Sequence, residues 1–208
     1  MALPLDKSIE FPKEDADIAQ KVIEDANIVL PQIIPNLTVS LKKLETSVLN
    51  DGQIAVKIQL MSLKNNKEIP LRYESDGIKK IISILHLLIA IYNQDSITVA
   101  IDELDSGVFE YLLGEILRIV AEEGKGQLIF TSHNLRPLEV LDRCFIAFTT
   151  TNPKKRYIRP QGVDDVENLR DFYFRDIILG EQPEETYDMT NNADISFAFR
   201  KAGINRGA

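Results

Sequence analysis

Ser96-Ile97-Thr98-Val99-Ala100-Ile101-Asp102-Glu103-Leu104-Asp105 runs apolar for most of its length and then ends in acid. Ile97, Val99 and Ile101 alternate with Thr98 and Ala100, so neither face is strongly polar. Such a segment suits a central parallel strand buried on both sides. Asp102 and Glu103 fall at its carboxyl end, where open α/β sheets bind their ligands in the crevice beyond the strands. The pair is therefore placed for Mg²⁺ and phosphate chemistry, although an acidic cap on the helix that follows would use the same residues.

Outward from this strand, a regular alternation is expected. A helix over Asp76 to Asn93 precedes it, and a helix from about Val108 to Glu123, closed by Gly124 and Gly126, follows. Gln127 to Thr131 is the next strand. Asn134 to Leu141 forms a short helix with Pro137 in its first turn, and Cys144 to Phe148 a third strand. The expected core is a parallel β-α-β-α-β sheet with right-handed crossovers.

The amino-terminal third reads differently. Ala16, Ala19, Val22, Ile23, Ala26, Val29 and Leu30 recur at helical spacing between Lys13 and Leu30, and Pro31 and Pro35 are expected to end or kink that helix. Leu37 to Val48 and Gln53 to Leu63 read as strands of an antiparallel hairpin turned at Asn50-Asp51-Gly52. A boundary near Leu71 divides the chain into a helix-plus-hairpin region (1–70), an α/β lobe (71–160) and an acidic tail (161–208). In the tail, Leu169, Phe172, Tyr173, Ile177 and Ile178 can line one helix face. Ile195 to Ala202 suits another helix, and Gly180 to Asn192 a mobile loop.

The chain has 208 residues, 44% hydrophobic and 27% charged, enough to bury a core. Its 24 Lys and Arg against 32 Asp and Glu give a net charge of -8, a poor footprint for broad nucleic-acid or acidic-membrane binding. Lys154-Lys155-Arg156 reads as a solvated turn. The densest apolar run, Ile81 to Tyr92, contains Ser83 and His86 and is shorter than the roughly 20 residues a bilayer requires. No signal peptide is expected, and the single cysteine, Cys144, is expected to be a buried hydrophobe in a reducing cytoplasm.

Three short motifs fall at strand ends or helix starts of the α/β lobe. Glu74-Ser75-Asp76-Gly77 opens a long helix, where free backbone N–H groups favour a phosphate, Ser75 can donate a hydroxyl and Gly77 permits close approach. A plain N-cap would look similar. At the acid pair, Asp102 would hold Mg²⁺ through water, and Glu103 would orient or deprotonate the water attacking a γ-phosphate. In Thr131-Ser132-His133-Asn134, His133 can reach across the crevice to a phosphate oxygen or that water. His86 lies mid-helix and reads as packing. A hydrolase built on Ser132 and His133 is disfavoured, because adjacent residues cannot easily face each other and no G-x-S-x-G elbow is present.

The order E-S-D-G, I-D-E-L-D, T-S-H-N resembles the carboxyl-terminal half of an ABC-class AAA ATPase, similar to the heads of SMC and OLD proteins. The resemblance covers Leu71 to Phe148 and implies a P-loop NTPase-like carboxyl-terminal lobe. It implies that Ser75 and Gly77, as the signature, bind ATP held by the opposite subunit of a dimer, and that Asp105 is the D-loop residue at the seam. Asp102 matches the Walker B aspartate, Glu103 the catalytic glutamate and His133 the switch histidine, with ATP and Mg²⁺ as cofactors. Two departures stand out. Asp76 occupies a position usually held by glycine in transporter ATPases, and no G-x-x-x-x-G-K-[S/T] loop occurs in the sequence. Gly124-Lys125-Gly126 is no substitute. The resemblance thus implies a partner lobe bearing Walker A, on the same or another polypeptide. The alternative is a catalytically incomplete module that dimerises or docks an effector. DNA or an effector would be sought at the hairpin region.

Overall fold

The computed structural model describes residues 5–48, 52–160, 168–179 and 184–204. It divides into two compact units, the first ending at Val140 and the second beginning at Leu141.

In the first unit, β1 (Ile9–Pro12), β2 (Leu37–Val48), β3 (Ile54–Lys64) and β4 (Lys67–Pro70) form an antiparallel sheet around β3. The expected hairpin is formed, with Leu37 opposite Lys64 and Val48 opposite Ile54, and a bulge between Lys43 and Glu45. Its expected turn at Asn50 and Asp51 lies outside the described residues. β1 and β4 are additions that the periodicity did not suggest. Asn65 and Asn66, both at positive φ, make the two-residue turn into β4, as hairpin twist requires.

Helix α1 (Lys13–Ile33) covers this sheet with the stripe Ala16, Ala19, Ile23, Ala26 and Leu30. Small residues in the stripe let the helix approach closely, and Ala16 packs with Val56 and Ile58. The Asn27 side chain bonds the Val39 backbone both ways, donating to its carbonyl at 2.7 Å and accepting its N–H at 2.8 Å. Pro31 does not stop the helix, which runs to Ile33 and closes with the Ile34 N–H on the Leu30 carbonyl. In the last turn proline forfeits only one ladder bond.

Helix α2 (Asp76–Asn93) has the expected bounds and buries Ile81, Ile82, Ile84, Leu85, Leu88 and Ile91. The strands β5 (Thr98–Ile101) and β6 (Gln127–Phe130) are parallel and in register, with α3 (Glu110–Glu123) between them in sequence. A four-residue helix α4 (Pro137–Val140) ends the unit.

Two expectations about this core are corrected. β5 is buried on one face only: Val99 and Ile101 are covered, whereas Thr98 and Ala100 are exposed, as is Ile129 on β6 at 53%. Neither strand pairs with a third among the described residues. The third strand over Cys144 to Phe148 does not join the parallel sheet. Asp142 accepts the Cys144 N–H and turns Arg143–Phe145 into a 3₁₀ helix, so the run is bent before it can extend. Phe148–Thr149 (β7) pairs antiparallel with Tyr157–Ile158 (β8) instead. Cys144 is exposed, contrary to the packed residue expected.

In the second unit, α5 (Leu169–Leu179) buries Leu169 and Phe172, and Tyr173 stacks tilted on Phe148 at 5.0 Å between centroids. α6 (Asn192–Ile204) exposes Phe197 and Phe199. The described part of the expected mobile loop, 184–191, has no regular structure but is tied down. Glu184 takes an ion pair from Lys155 at 2.7 Å and a hydrogen bond from Asn152 at 2.7 Å. No described helix is long and apolar enough to cross a membrane.

Candidate functional site

At the carboxyl ends of β5 and β6 the two strands are stitched by one side chain. The Thr131 hydroxyl donates to Asp102 Oδ1 and accepts the Glu103 N–H at 2.8 Å. Thr131 also contributes its backbone, the carbonyl taking the Leu104 N–H at 3.0 Å and the N–H meeting the Ile101 carbonyl at 3.1 Å. These bonds turn the chain sharply after Asp102. Glu103 adopts φ +47°, a left-handed conformation costly for a residue with a Cβ. Both carboxylates consequently stand exposed at the strand end while Leu104, next in sequence, is buried.

Asp105 braces the neighbouring turn. Its carboxylate accepts the backbone N–H of His133, at 3.2 Å to Oδ2, and that of Asn134 at 3.0 Å. The loop after β6 is thus fixed to the loop after β5, and His133 is held by its backbone with its side chain exposed.

The start of α2 approaches the same loop. Ser75 is the N-cap, its hydroxyl accepting the Ile78 N–H at 3.3 Å, so the capping role is real and the hydroxyl proton stays available to a ligand. A Cβ on Gly77 would lie 2.0 Å from the Gly107 carbonyl oxygen, and Gly107 itself has φ +71°. The close approach that Gly77 permits in this chain is therefore to the loop after β5. The segment before Ser75 is pinned from the antiparallel sheet: the fully buried Ser62 on β3 donates to Glu74 Oε1 at 2.6 Å.

An open cleft of about 380 Å³ lies between the start of α2 and the acid pair. Asp102, Glu103, Lys79, Lys80, Asp76 and Ser106 line it, while Ser75, Gly77, Asp105 and His133 are not among its walls. Lys79 is engaged by Asp76 at 2.8 Å and Asp6 at 3.6 Å. The hydrogen bond from Lys79 lowers the Asp76 carboxyl below its usual range, and the same bond raises Lys79. Lys80 donates to the Asp102 carbonyl at 3.2 Å.

The structure thus brings Asp102 and Glu103 into one hydrogen-bonded group and ties Asp105 to the His133 turn. Thr131, Lys80, Ser62 and Gly107 were not singled out by sequence reasoning. A threonine at the end of the strand next to an acidic strand end was the available signal for the first. Among the described residues no three His, Cys, Asp or Glu side chains converge as a metal cage. Mg²⁺ is commonly held by one or two carboxylates with phosphate and water, and Asp102, with one oxygen clear of the Thr131 bond, fits that mode.

No protein-family model matches the chain, and no curated protein matches it. A solved structure from work on ATP-driven dimerization and DNA-stimulated activation of SMC ATPases aligns with a TM-score of 0.54 at 10% identity. The alignment covers 82% of this chain and 99% of that one. The chain shares the fold of part of an SMC ATPase head. A head bound to the C-winged helix domain of ScpA aligns with a TM-score of 0.43 at 10% identity, over 58% of this chain and 37% of that one. A Pyrococcus furiosus Smc head with an extended coiled coil, bound to the C-terminal domain of ScpA, gives 0.39 at 10% identity, over 60% and 32%. This chain spans about a third of each of these two larger SMC head chains.

Proposed function

We propose that this chain is the carboxyl-terminal lobe of an SMC-like, ABC-class ATPase head, acting with a partner lobe that carries the phosphate loop. The observation that supports the reading most is the turn in which Thr131 bonds the Asp102 carboxylate and the Glu103 N–H, because it fixes two acidic residues that line one cleft at the end of a parallel strand. Mg²⁺, when bound, would neutralise charge developing on the phosphates. Asp102 would hold it through water. Glu103 would accept a proton from, or orient, the water attacking the γ-phosphate, and His133 would contact a phosphate oxygen or that water. Ser75 and Gly77 would meet ATP held by a second subunit, with Asp105 at the seam between the two.

The exposed face of β5 and β6 supports a partner lobe. Parallel sheets are normally covered on both sides, and here Ala100 and Ile129 are bare. The reading in which the chain is a dimerisation or effector-docking module without nucleotide draws on the lack of a G-x-x-x-x-G-K-[S/T] loop in this sequence.

The test is turnover in an assembly reconstituted with a phosphate-loop polypeptide. Glu103→Gln should slow hydrolysis by about 10²–10⁴-fold, the contribution of a positioned general base, while ATP-dependent association persists. Unchanged turnover would remove Glu103 from the chemistry. Titration of the isolated chain with Mg-ATP in a calorimeter separates the alternatives further. Tight binding lost in Asp102→Ala would mean that the chain grips nucleotide without a partner lobe.

A further inference from the structure

We infer that Lys80 is a positioning residue for Glu103, an inference that rests on the proposed role of Glu103 as the base. The peptide group joining Asp102 to Glu103 is held at both ends by side chains from different elements. Thr131, just past β6, accepts its N–H at 2.8 Å, and Lys80 of α2 donates to its carbonyl at 3.2 Å. A peptide fixed at both poles cannot rotate about its flanking bonds, and that rotation is what would release Glu103 from φ +47°.

The geometry of α2 supports the assignment independently. Residues three apart share a helix face, so Lys80 lies one turn above Gly77, whose backbone already abuts the Gly107 carbonyl. This stripe faces the loop after β5. Lys79, one residue away, points its charge to Asp76 and Asp6 instead. Lys80 thus brings a charged donor onto a neutral carbonyl, a stronger bond than a neutral pair gives. Because Ser75 caps the same helix, a displacement of α2 would reach the Asp102–Glu103 peptide through the Lys80 side chain as well as through the Gly77–Gly107 contact.

The test follows the solvent-exchange rate of the Glu103 amide by NMR in the full chain. Lys80→Met, which keeps the aliphatic stem, should speed that exchange by about fivefold to tenfold, the net contribution of one solvent-exposed hydrogen bond. Lys80→Arg should stay within about twofold of the parent, because the donor is retained. Thr131→Val, which removes the other tie, calibrates the probe, and the Val56 and Leu60 amides of β3 report that the fold is intact. Full protection in Lys80→Met, with or without loss in Thr131→Val, overturns the inference, as does equal exchange in the Met and Arg variants. The turnover of Glu103→Gln is a separate readout. If it stays normal while Lys80→Met opens the turn, the base assignment fails and the tie stands. If turnover falls while the turn stays closed in Lys80→Met, only the tie fails.

Discussion

The antiparallel layer and the parallel pair are built to different degrees of completeness. β3 pairs with β2 along all eleven of its residues and with β1 and β4 on its other edge, and α1 seals one face with a stripe of alanines and branched residues. β5 and β6 are four residues each, pair only with one another among the described residues, and leave Ala100 and Ile129 to solvent. A two-stranded sheet is marginal by itself. Here it persists because α2 and the Thr131 and Asp105 ties hold its ends, so the region of the candidate site is ordered at one end and open on one face. The first region is sealed by α1 on one face, and the second is left open on one face.

The sharpest way to break that contrast is to cut the same aliphatic side chain in each region. Ile58 on β3 is 2% exposed and packs with Ala16 and Val56. Ile58→Ala should cost about 2–5 kcal/mol, the sum of lost transfer energy and a residual cavity, read as a lower midpoint in chemical denaturation. A loss below about 1 kcal/mol, the range of shallow sites, would mean that the antiparallel core is loose and the contrast overstated.

A smaller effect is expected at the one tight point of the open region. Alanine would normally improve a helix by about 1 kcal/mol over glycine. At Gly77 the added Cβ would meet the Gly107 carbonyl oxygen at 2.0 Å, which is backbone and cannot swing aside. Gly77→Ala should therefore destabilise by about 1–3 kcal/mol, the usual cost of overpacking. It should also shift the amide signals of Asp102 to Val108. A stabilised variant with unmoved signals would show that the loop after β5 yields freely, and that the ordered end of the parallel pair is softer than its hydrogen bonds imply.

What could be read from the sequence follows from the range over which each signal acts. The bounds of α2, the hairpin of β2 and β3 and the positions of β5 and β6 rest on local periodicity, and they are found where the pattern put them. β1 escaped because four residues ending in Pro12 show too little alternation, and β4 because the Asn65-Asn66 turn went unread. The error at Cys144 to Phe148 came from treating an apolar run as a strand when Asp142, just before it, caps a turn. The exposed face of β5 could not be inferred locally at all. Alternation without polar residues says that both faces suit burial, and whether both are buried depends on what else is folded around them. At the site, the carboxylates were legible as residue types at a strand end. The Thr131 bridge, the Lys80 contact and the Ser62–Glu74 bond join residues 12 to 29 apart in sequence, and no spacing rule carries them.

The smallest expected effect sharpens the comparison most. Ile129 is 53% exposed on the bare face, so Ile129→Ala should change the stability of this chain by no more than about 0.5 kcal/mol, as surface substitutions do. Its neighbour Val99, opposite Leu128 in the register and buried on the other face, provides the internal contrast. If the face is the seat of a partner lobe, the same Ile129→Ala change should weaken capture of a phosphate-loop polypeptide, and Ile129→Lys should weaken it further, because an ammonium would have to be desolvated there. Both variants should leave the denaturation midpoint of the isolated chain where it was. A large loss of stability in Ile129→Ala would mean that the face is covered within this chain. Unchanged stability with unchanged capture would leave the face bare in the assembly too, and the partner would have to engage the chain through the ends of the strands.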